Sequence, residues 1–500
     1  MARRSRGLPV PLLDGLDDLG RTGADGLAQP GSLLARLHAR LRKAILDGAL
    51  APGGALPASR RLAEDAGLSR NTVEAVYDQL EAEGFIERRH GSGSFVSSNL
   101  PERELAPARG PREAAAPPGA AGLSKRGELM ARSYGREEAP VGKAFQPSVP
   151  ALDLFPRQLW ARLLARATRA PGPDHLAAGD RAGFRPLREA IAAYVGSTRA
   201  VACSPDQVVV LTSSQQAIDL ACRLLTDPGD TVWHEEPGYR AAAAAFVAAG
   251  AKVVPVPVDG EGIDVAAGQR LAPEARLAYV SPSHQFPTGV AMSLSRRLQL
   301  LAWAARARAF IIEDDYDSEF RYVGRPLAAL QGLDQAGRVV YVGTFNKLMF
   351  PALRLAYLIA PPDLAERFIA ARVLVDGHTS TLPQAALADF IREGHLGTHL
   401  RHMRTVYEER RQALIDAVAG LGGKLTLGPI DGGMHACAYL PPGSDDVALA
   451  LAARKIGIEL RPLSLSYRGT ARPGFILGFA PARPAEIRGA VERLARLLEN

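Results

Sequence analysis

Between Asn99 and Glu138 the hydrophobic periodicity of the chain dissolves into Ala, Pro, Gly and charges, including the run Ala114-Ala115-Ala116-Pro117-Pro118-Gly119-Ala120-Ala121. That run has no large apolar side chain to bury, and its prolines interrupt any regular ladder, so it cannot build a core. A chain of 500 residues interrupted in this way is expected to fold as two units. The expected division is a flexible arm over residues 1–30, a small unit over 31–98, a linker over 99–140 and a large unit over 141–500.

Bulk composition narrows the class without deciding it. Hydrophobic residues make up 47% and charged residues 23%, as in an ordinary globular protein, which excludes disorder for most of the length. The net charge of +7 is modest. Residues 33–96 carry nine Arg and Lys against eight Asp and Glu, so affinity for nucleic acid has to come from where charges sit. Cys203, Cys222 and Cys437 show no paired spacing, which excludes a disulfide framework or a zinc site and points to a reducing compartment. The basic start, Met1 to Arg6, is followed by a stretch broken by Pro9, Pro11 and aspartates, unlike a signal peptide. The longest apolar run, Ala241 to Ala251, is half the length needed to span a bilayer. A cytoplasmic protein with no membrane partner and no metal is expected.

In the small unit Leu34, Leu37, Leu41 and Ile45 fall at helical spacing, and Gly48 stops the helix. A second helix follows Leu56-Pro57-Ala58-Ser59 and runs to Ala66, where Gly67 makes a tight turn. Ser69 is a good N-cap for a third helix with one clean inner face, Val73, Val76, Tyr77 and Leu80. Arg70, Asn71 and Glu74 are left facing outwards. Arg70 and Asn71, with Ser69 and Thr72 of the same turn, occupy the end of a recognition helix that reaches base edges or phosphates in the major groove. Phe85-Ile86-Glu87-Arg88-Arg89 then turns at His90-Gly91-Ser92-Gly93 and returns as Ser94-Phe95-Val96, a basic-tipped hairpin. Cap, turn and hairpin together point to double-stranded DNA as partner.

Beyond Val141, β-branched runs at Val208–Leu211, Val253–Val258, Leu277–Val280, Phe310–Ile312 and Val339–Val342 alternate with Ala/Leu/Arg-rich helical stretches. That alternation predicts an α/β unit, a mostly parallel sheet covered on both faces by helices. The segments after the strands carry the chemistry. Lys347 lies in Thr344-Phe345-Asn346-Lys347-Leu348-Met349-Phe350-Pro351-Ala352-Leu353-Arg354. A lysine amine, with an ordinary pKa of about 10.4, needs a dry, electropositive pocket to hold an aldehyde as a Schiff base. Asp314, at the end of the Phe310 strand, suits a protonated pyridine nitrogen, and Tyr316 a ring hydroxyl. Arg354 offers a bidentate group to a phosphate. Thr212-Ser213-Ser214-Gln215 leads from a strand into a helix whose N-terminus suits the same phosphate. The turn Glu236-Pro237-Gly238-Tyr239 delivers a ring for stacking, and Pro282 to Gly289 is a further loop rich in hydrogen-bonding groups. A single lysine is usually a surface charge, and Asp-Asp-Tyr-Asp alone fits a solvated turn or a weak metal site. Five such loops in order, each after a strand, point to a pyridoxal 5'-phosphate pocket.

Leu56 to Val96 resembles the winged helix-turn-helix of the GntR family of bacterial transcription regulators. From Val141 onward the chain resembles fold-type I aminotransferases, and the pair of units resembles the MocR-type, GabR-like subgroup. Ser281-Pro282-Ser283-His284-Gln285-Phe286-Pro287-Thr288-Gly289 and the run from Ile312 to Tyr322 carry this likeness. By resemblance, Lys347 carries the cofactor aldehyde, Asp314 pairs with the pyridine nitrogen, Tyr316 contacts the ring oxygen, Tyr239 stacks, and Ser213, Ser214 and Arg354 hold the phosphate. Arg60 and Arg70 contact DNA, and the His90-Gly91 tip enters the minor groove. The likeness further implies a head-to-tail homodimer and a regulator that senses pyridoxal phosphate, an amine or an amino acid.

The chain departs from that pattern in four places. Asn346 stands where the subgroup has a serine, and the Thr212 to Gln215 loop lacks the usual glycine. Loss of phosphate ligands there predicts a grip weaker by about 1 to 3 kcal/mol each. Glu74 replaces a second arginine of the recognition helix, and Leu465 falls where an arginine grips the effector carboxylate, with Arg461, Arg468 and Arg240 as substitutes. Two other readings follow from the same residues: an aminotransferase with an attached DNA reader, and a cofactor-free scaffold that dimerises the reader.

Overall fold

The computed structural model describes residues 33–89, 91–100, 122–134, 144–169, 176–177, 179–324 and 327–499. The chain divides into two compact units, residues 1–121 and 122–500. The expected arm over 1–30, the tip residue His90 and most of the expected linker lie outside the described residues.

In the small unit, α1 (Leu33–Leu46), α2 (Ser59–Ala66) and α3 (Arg70–Ala82) form where the apolar spacing predicts them. Leu37, Leu41 and Ile45 are buried with Leu62, Val73, Val76, Tyr77 and Leu80 in one cluster. Gly67 closes α2 at φ 63°, a left-handed conformation that costs glycine little because it has no Cβ. The Ser69 hydroxyl accepts from the Thr72 N–H at 3.1 Å, satisfying one of the donors that a helix start leaves free. Tyr77 donates its hydroxyl to the Pro57 carbonyl at 2.8 Å and fixes α3 to the segment before α2. Strands β1 (Ile86–Arg89) and β2 (Gly93–Val96) pair antiparallel from Ile86↔Val96 to Arg89↔Gly93, which is the expected wing.

The linker expectation needs correction over part of its length. Residues Lys125–Tyr134 form a helix, α4, within the large unit, where Arg126 Nε donates to the Ala248 carbonyl at 2.7 Å. The proline-rich run ends before Gly122, and nothing from Leu123 to Tyr134 forbids a helix.

The core of the large unit is an eight-stranded sheet of order β3-β10-β9-β8-β7-β4-β5-β6. Its strands are β3 (Val208–Leu211), β4 (Thr231–Glu236), β5 (Lys252–Asp259), β6 (Gly262–Ile263), β7 (Leu277–Val280), β8 (Phe310–Asp315), β9 (Val339–Thr344) and β10 (Ala356–Ile359). The run β9-β8-β7-β4-β5 is parallel, and antiparallel pairs occur only towards the edges. β4 and β10 escape the sequence pattern: β4 mixes His234, Glu235 and Glu236 among apolar residues, and β10 is four residues long. The apolar run from Ala241 is a helix, Arg240–Ala249, ended by Gly250 at φ 91°. A second, four-stranded antiparallel sheet near the C-terminus, β11 (Thr426–Leu427), β12 (His435–Tyr439), β14 (Gly474–Gly478) and β13 (Arg461–Pro462), was not anticipated; two of its strands have only two residues. No described helix is long and apolar enough to cross a membrane.

Parallel strands put their C-terminal ends on one edge, where a doubly wound sheet binds ligands. Here that edge receives the loops after β3, β4, β7, β8 and β9, bringing together residues more than 130 positions apart. A buried stack of Trp233 on β4 and Trp303 from the helix Leu294–Ala307 packs that helix on the sheet, with ring centroids 3.8 Å apart and planes at 16°. Replacing Trp303 with Ala is expected to cost about 3 to 5 kcal/mol. A urea unfolding curve for the large-unit transition checks this; an unchanged midpoint would show that the stack carries little of the stability.

Candidate functional site

The sheet edge encloses a cavity of about 190 Å³ lined by Pro147, Ser148, Ser214, Tyr239, Tyr279, Phe286, Asp314, Tyr316, Lys347 and Arg461. Five of the residues expected at the cofactor, Ser214, Tyr239, Asp314, Tyr316 and Lys347, therefore share one wall-to-wall space. A larger hollow of about 590 Å³ near Phe155, Trp160 and Phe350 is almost wholly apolar and holds no group able to act as acid, base or nucleophile.

Lys347 follows β9, and its Nζ stands 4.2 Å above the Tyr316 ring centre. Burial holds the amine below its usual value, against the pull of Asp314 and Asp317; the Arg461 charge works with burial. Asp314, at the end of β8, is pushed up by burial, with Lys347 and the Tyr279 hydrogen bond opposing. Tyr279 donates its hydroxyl to Asp314 Oδ2 at 2.6 Å, while the buried Oδ1 has no partner in the protein. An unpaired buried carboxylate oxygen is costly, and a ligand N–H that reached it would offset that cost. A protonated pyridine nitrogen is such a donor.

Tyr316 rests on a buried chain of polar groups. Its hydroxyl lies 3.0 Å from His284 Nδ1, and that nitrogen is 3.0 Å from Asp317 Oδ1. Asp317 Oδ2 accepts from the Met434 N–H at 3.2 Å. Burial opposes ionisation of Asp317, but His284, His435 and Lys347 together hold it below its ordinary value. Beside this chain, burial drives His435 down to about 3, which makes it a neutral ring packed among Phe286, His284 and Tyr316.

The remaining expected residues lie around the cavity rather than on its wall. Ser213 caps the helix Ser214–Leu225, its hydroxyl accepting from the Gln216 N–H at 3.1 Å. That helix start is the expected anion cradle, and Thr212 is tied back by its N–H and hydroxyl to Gln216 Oε1. Asn346 spans the base of the loop: its amide donates to the Thr212 carbonyl at 3.3 Å and its Oδ1 accepts from the Leu355 N–H at 2.9 Å. The residue that departs from the subgroup thus joins the Lys347 loop to the Thr212 loop. Arg354 is exposed, at φ 53°, and does not line the cavity. Arg461 and Tyr239 also border a small adjoining cleft with Arg240 and Leu465, which brings two of the three substitute arginines to one place; Arg468 instead donates its backbone N–H to Glu236.

Sequence reasoning missed Tyr279, Ser148 and Glu235, for which isolated positions carry no motif. Glu235 is fully enclosed, and burial pushes its carboxyl up to about 8, with the Gln285 amide and the Ser281 N–H opposing. Gln285 in turn holds the Pro237 carbonyl at 2.8 Å, so this pair fixes the turn that carries Tyr239.

In the small unit Arg60, Arg70 and Asn71 are exposed, and Gly91 is exposed at the wing with φ 70°. Arg60 lies 3.4 Å from Glu64 and Arg70 3.7 Å from Glu74. Glu74 also accepts from the Ser59 hydroxyl at 2.5 Å and faces Arg88 at 3.5 Å. The unexpected glutamate therefore clasps α2, α3 and the wing, a role the sequence gave no sign of.

A winged helix-turn-helix in one chain with an aminotransferase fold, and a half-buried lysine that shares a cavity with a buried aspartate, define a composite DNA-binding regulator. Residues 33–96 match the bacterial regulatory proteins of the gntR family, and residues 160–462 match aminotransferase class I and II. The chain is 41% identical over 461 residues, 92% of each sequence, to a probable rhizopine catabolism regulatory protein, MocR, of Rhizobium meliloti. It is 30% identical over 452 residues to the HTH-type pyridoxine biosynthesis transcriptional regulator PdxR of Corynebacterium glutamicum, covering 90% of this chain and 92% of that one. Among solved structures, LysN, an α-aminoadipate aminotransferase of Thermus thermophilus complexed with N-(5'-phosphopyridoxyl)-L-leucine, matches with a TM-score of 0.69 at 29% identity, over 75% of this chain and 97% of that chain. The chain belongs to the MocR-type subgroup of the GntR family.

The Glu235 carboxyl, raised when folded, binds a proton that the unfolded chain has already released between its ordinary value of 4.5 and about 8. It therefore contributes a stability that is full below that window and declines as pH rises through it. Glu235→Gln keeps the acceptor for Ser281 and Gln285 but not the titration. The urea midpoint of the wild type is expected to fall further between about pH 5 and about pH 8 than that of the variant; equal slopes would place the Glu235 pKa near its ordinary value.

Proposed function

We propose that this protein is a transcription regulator whose small unit binds double-stranded DNA and whose large unit binds pyridoxal 5'-phosphate at Lys347, where it reads an amine or amino acid. The observation that carries the cofactor reading is the orphaned Oδ1 of Asp314 opposite the enclosed Lys347 amine, which asks for a cationic ring N–H. Asp314 would hold the pyridine nitrogen, Tyr316 the ring oxygen, Tyr239 a ring face, and Ser213, Ser214 and the helix start the phosphate, with Arg354 assigned to the phosphate by family likeness. Asn346 keeps the two loops at fixed separation. When bound, the cofactor supplies an aldehyde for which Lys347 and an incoming amine compete.

What this chain's residues add is the setting for that competition. Burial lowers the Lys347 pKa, which favours the unprotonated, nucleophilic form of the amine. Arg461, on the cavity wall, is the group placed to meet the carboxylate of an amino acid, while Leu465 in the adjoining cleft supplies an apolar contact instead of a second cation. The effector is accordingly of a different shape from those gripped by an arginine at the Leu465 position. A ligand shifts DNA affinity only through a difference in its affinity for two arrangements of the protein, and a homodimer with two DNA half-sites is the assembly that would express such a difference. Action in the cytoplasm fits the three unpaired cysteines.

Two measurements test this. The purified protein with pyridoxal phosphate is expected to show a protonated-imine absorption band that borohydride fixes to the chain, and Lys347→Ala is expected to lose it. A wild type without the band would leave the large unit as a dimerising scaffold. On DNA, Arg70→Ala is expected to weaken binding by about 1 to 3 kcal/mol at a guanine-bearing half-site. An equal loss on every sequence would make Arg70 a phosphate contact, and no loss would remove it from the interface.

A further inference from the structure

The end of β8 lines one cavity with Asp314 and, through Asp315, holds a residue that lines another. Side chains alternate along a strand, so Asp314 turns towards Lys347 and Asp315 turns away from it. Asp315 Oδ2 accepts from Arg199 Nε at 2.8 Å and from the Tyr341 hydroxyl at 2.7 Å. Arg199 forms part of the wall of a separate cavity of about 560 Å³, completed by Arg321, Arg401, Arg404, Tyr194, Ser318 and Glu319 among others. None of these residues borders the Lys347 cavity.

The charges around this second cavity do not balance. Arg199 is matched by Asp315. Arg401 and Arg404 stand three positions apart on the helix His395–Ala419 and so share a face. Their contacts are to neutral groups, Arg401 to the Thr398 hydroxyl at 3.0 Å and Arg404 to the Glu319 carbonyl at 2.9 Å. Among the described residues no carboxylate lies within salt-bridge distance of Arg321, Arg401 or Arg404. The Glu319 carboxyl accepts from the Tyr194 hydroxyl at 2.9 Å, and burial pushes it up to about 7, so it offsets at most one of three positive charges. Two further atoms point to a missing ligand: Arg321 Nε and Ser318 Oγ are buried without a hydrogen-bond partner. A donor in that state retains its full desolvation cost until an acceptor arrives.

We propose that this cavity is a second ligand site, distinct from the Lys347 site, that takes a small phosphate-bearing anion. Guanidinium groups match phosphate oxygens in paired hydrogen bonds. Three guanidinium groups without an ion-pair partner, offset by at most one carboxyl, and a free hydroxyl suit a multiply charged phosphate or pyrophosphate better than a single carboxylate. The cavity is large enough for a small molecule. The site also adjoins the supports of the cofactor cavity, because Arg199 holds both Asp315, next to Asp314, and the hydroxyl of Ser283, next to His284.

The test is calorimetric titration of the full-length, cofactor-treated protein with pyrophosphate and, separately, inorganic phosphate, at ionic strength held constant with chloride. Saturable binding is expected, tighter for pyrophosphate. In the double variant Arg401→Ala/Arg404→Ala, affinity is expected to fall at least tenfold while the borohydride-fixable band at Lys347 is retained. Arg401 and Arg404 are exposed, so the variant is expected to keep the fold, and its thermal transition checks that. No saturable heat in the wild type would overturn the proposal. Undiminished binding in the folded double variant would place the anion elsewhere and overturn it equally.

Discussion

The desolvated pairing of Lys347 with Asp314 is the constraint on which the rest of the large unit depends. Removing a cation and an anion from water is costly, and neither group is held here by a direct short bond to the other that would repay it. Each is shifted towards its neutral form, the amine downwards and the carboxyl upwards, and each keeps an unfilled role. Such an arrangement persists only when surrounding structure fixes it. The parallel strands do so by ending at one edge, Tyr279 holds one oxygen of Asp314, and Tyr316 is supported from below by His284 and Asp317. A bound ring with a cationic N–H on one side and an aldehyde on the other completes both groups at once.

The altered phosphate loop takes on a different meaning in three dimensions. By sequence, Asn346 and the glycine-free Thr212 to Gln215 stretch stand for lost ligands. In the fold, the Asn346 amide group joins the Lys347 loop to the Thr212 loop, and Gln216 ties Thr212 back to the helix it precedes. The substituted side chains are thus spent on holding the two loops in register, and the helix start with Ser213 as its cap remains open to an anion. In the small unit Glu74 changes in the same way. A glutamate on the outer face of a recognition helix suggests a lost phosphate contact or a cytosine contact. Its hydrogen bond from Ser59 and its proximity to Arg70 and Arg88 make it a clasp between the helices and the wing. Arg60, Arg61, Arg70, Arg88 and Arg89 each lie within ion-pair distance of a neighbouring carboxylate, so their use in DNA binding requires exchanging those partners for phosphates.

The sequence by itself determined the two-unit build, because a run of small residues and prolines cannot be buried, and the winged helix, because its periodicity, cap and turn residues act over a few positions each. It also determined the sheet class, and it set out the order of the loops proposed to hold the cofactor: β-branched runs are a local signal, and Lys347, Asp314 and Tyr316 sit at fixed offsets from them. Short elements without a pattern were beyond it, such as β10, the two-residue strands β11 and β13, and the helix Lys125–Tyr134 inside an otherwise irregular stretch. Only the tertiary structure decided which oxygen of Asp314 stays free, that Tyr279 lines the Lys347 cavity and Glu235 fixes the turn beside it, that Arg461 rather than Leu465 borders that cavity, and that four arginines from three separate segments line a second one. These are long-range contacts, fixed when separated strands are brought to one edge and a strand's alternation sends neighbouring aspartates to opposite sides; no local spacing encodes them.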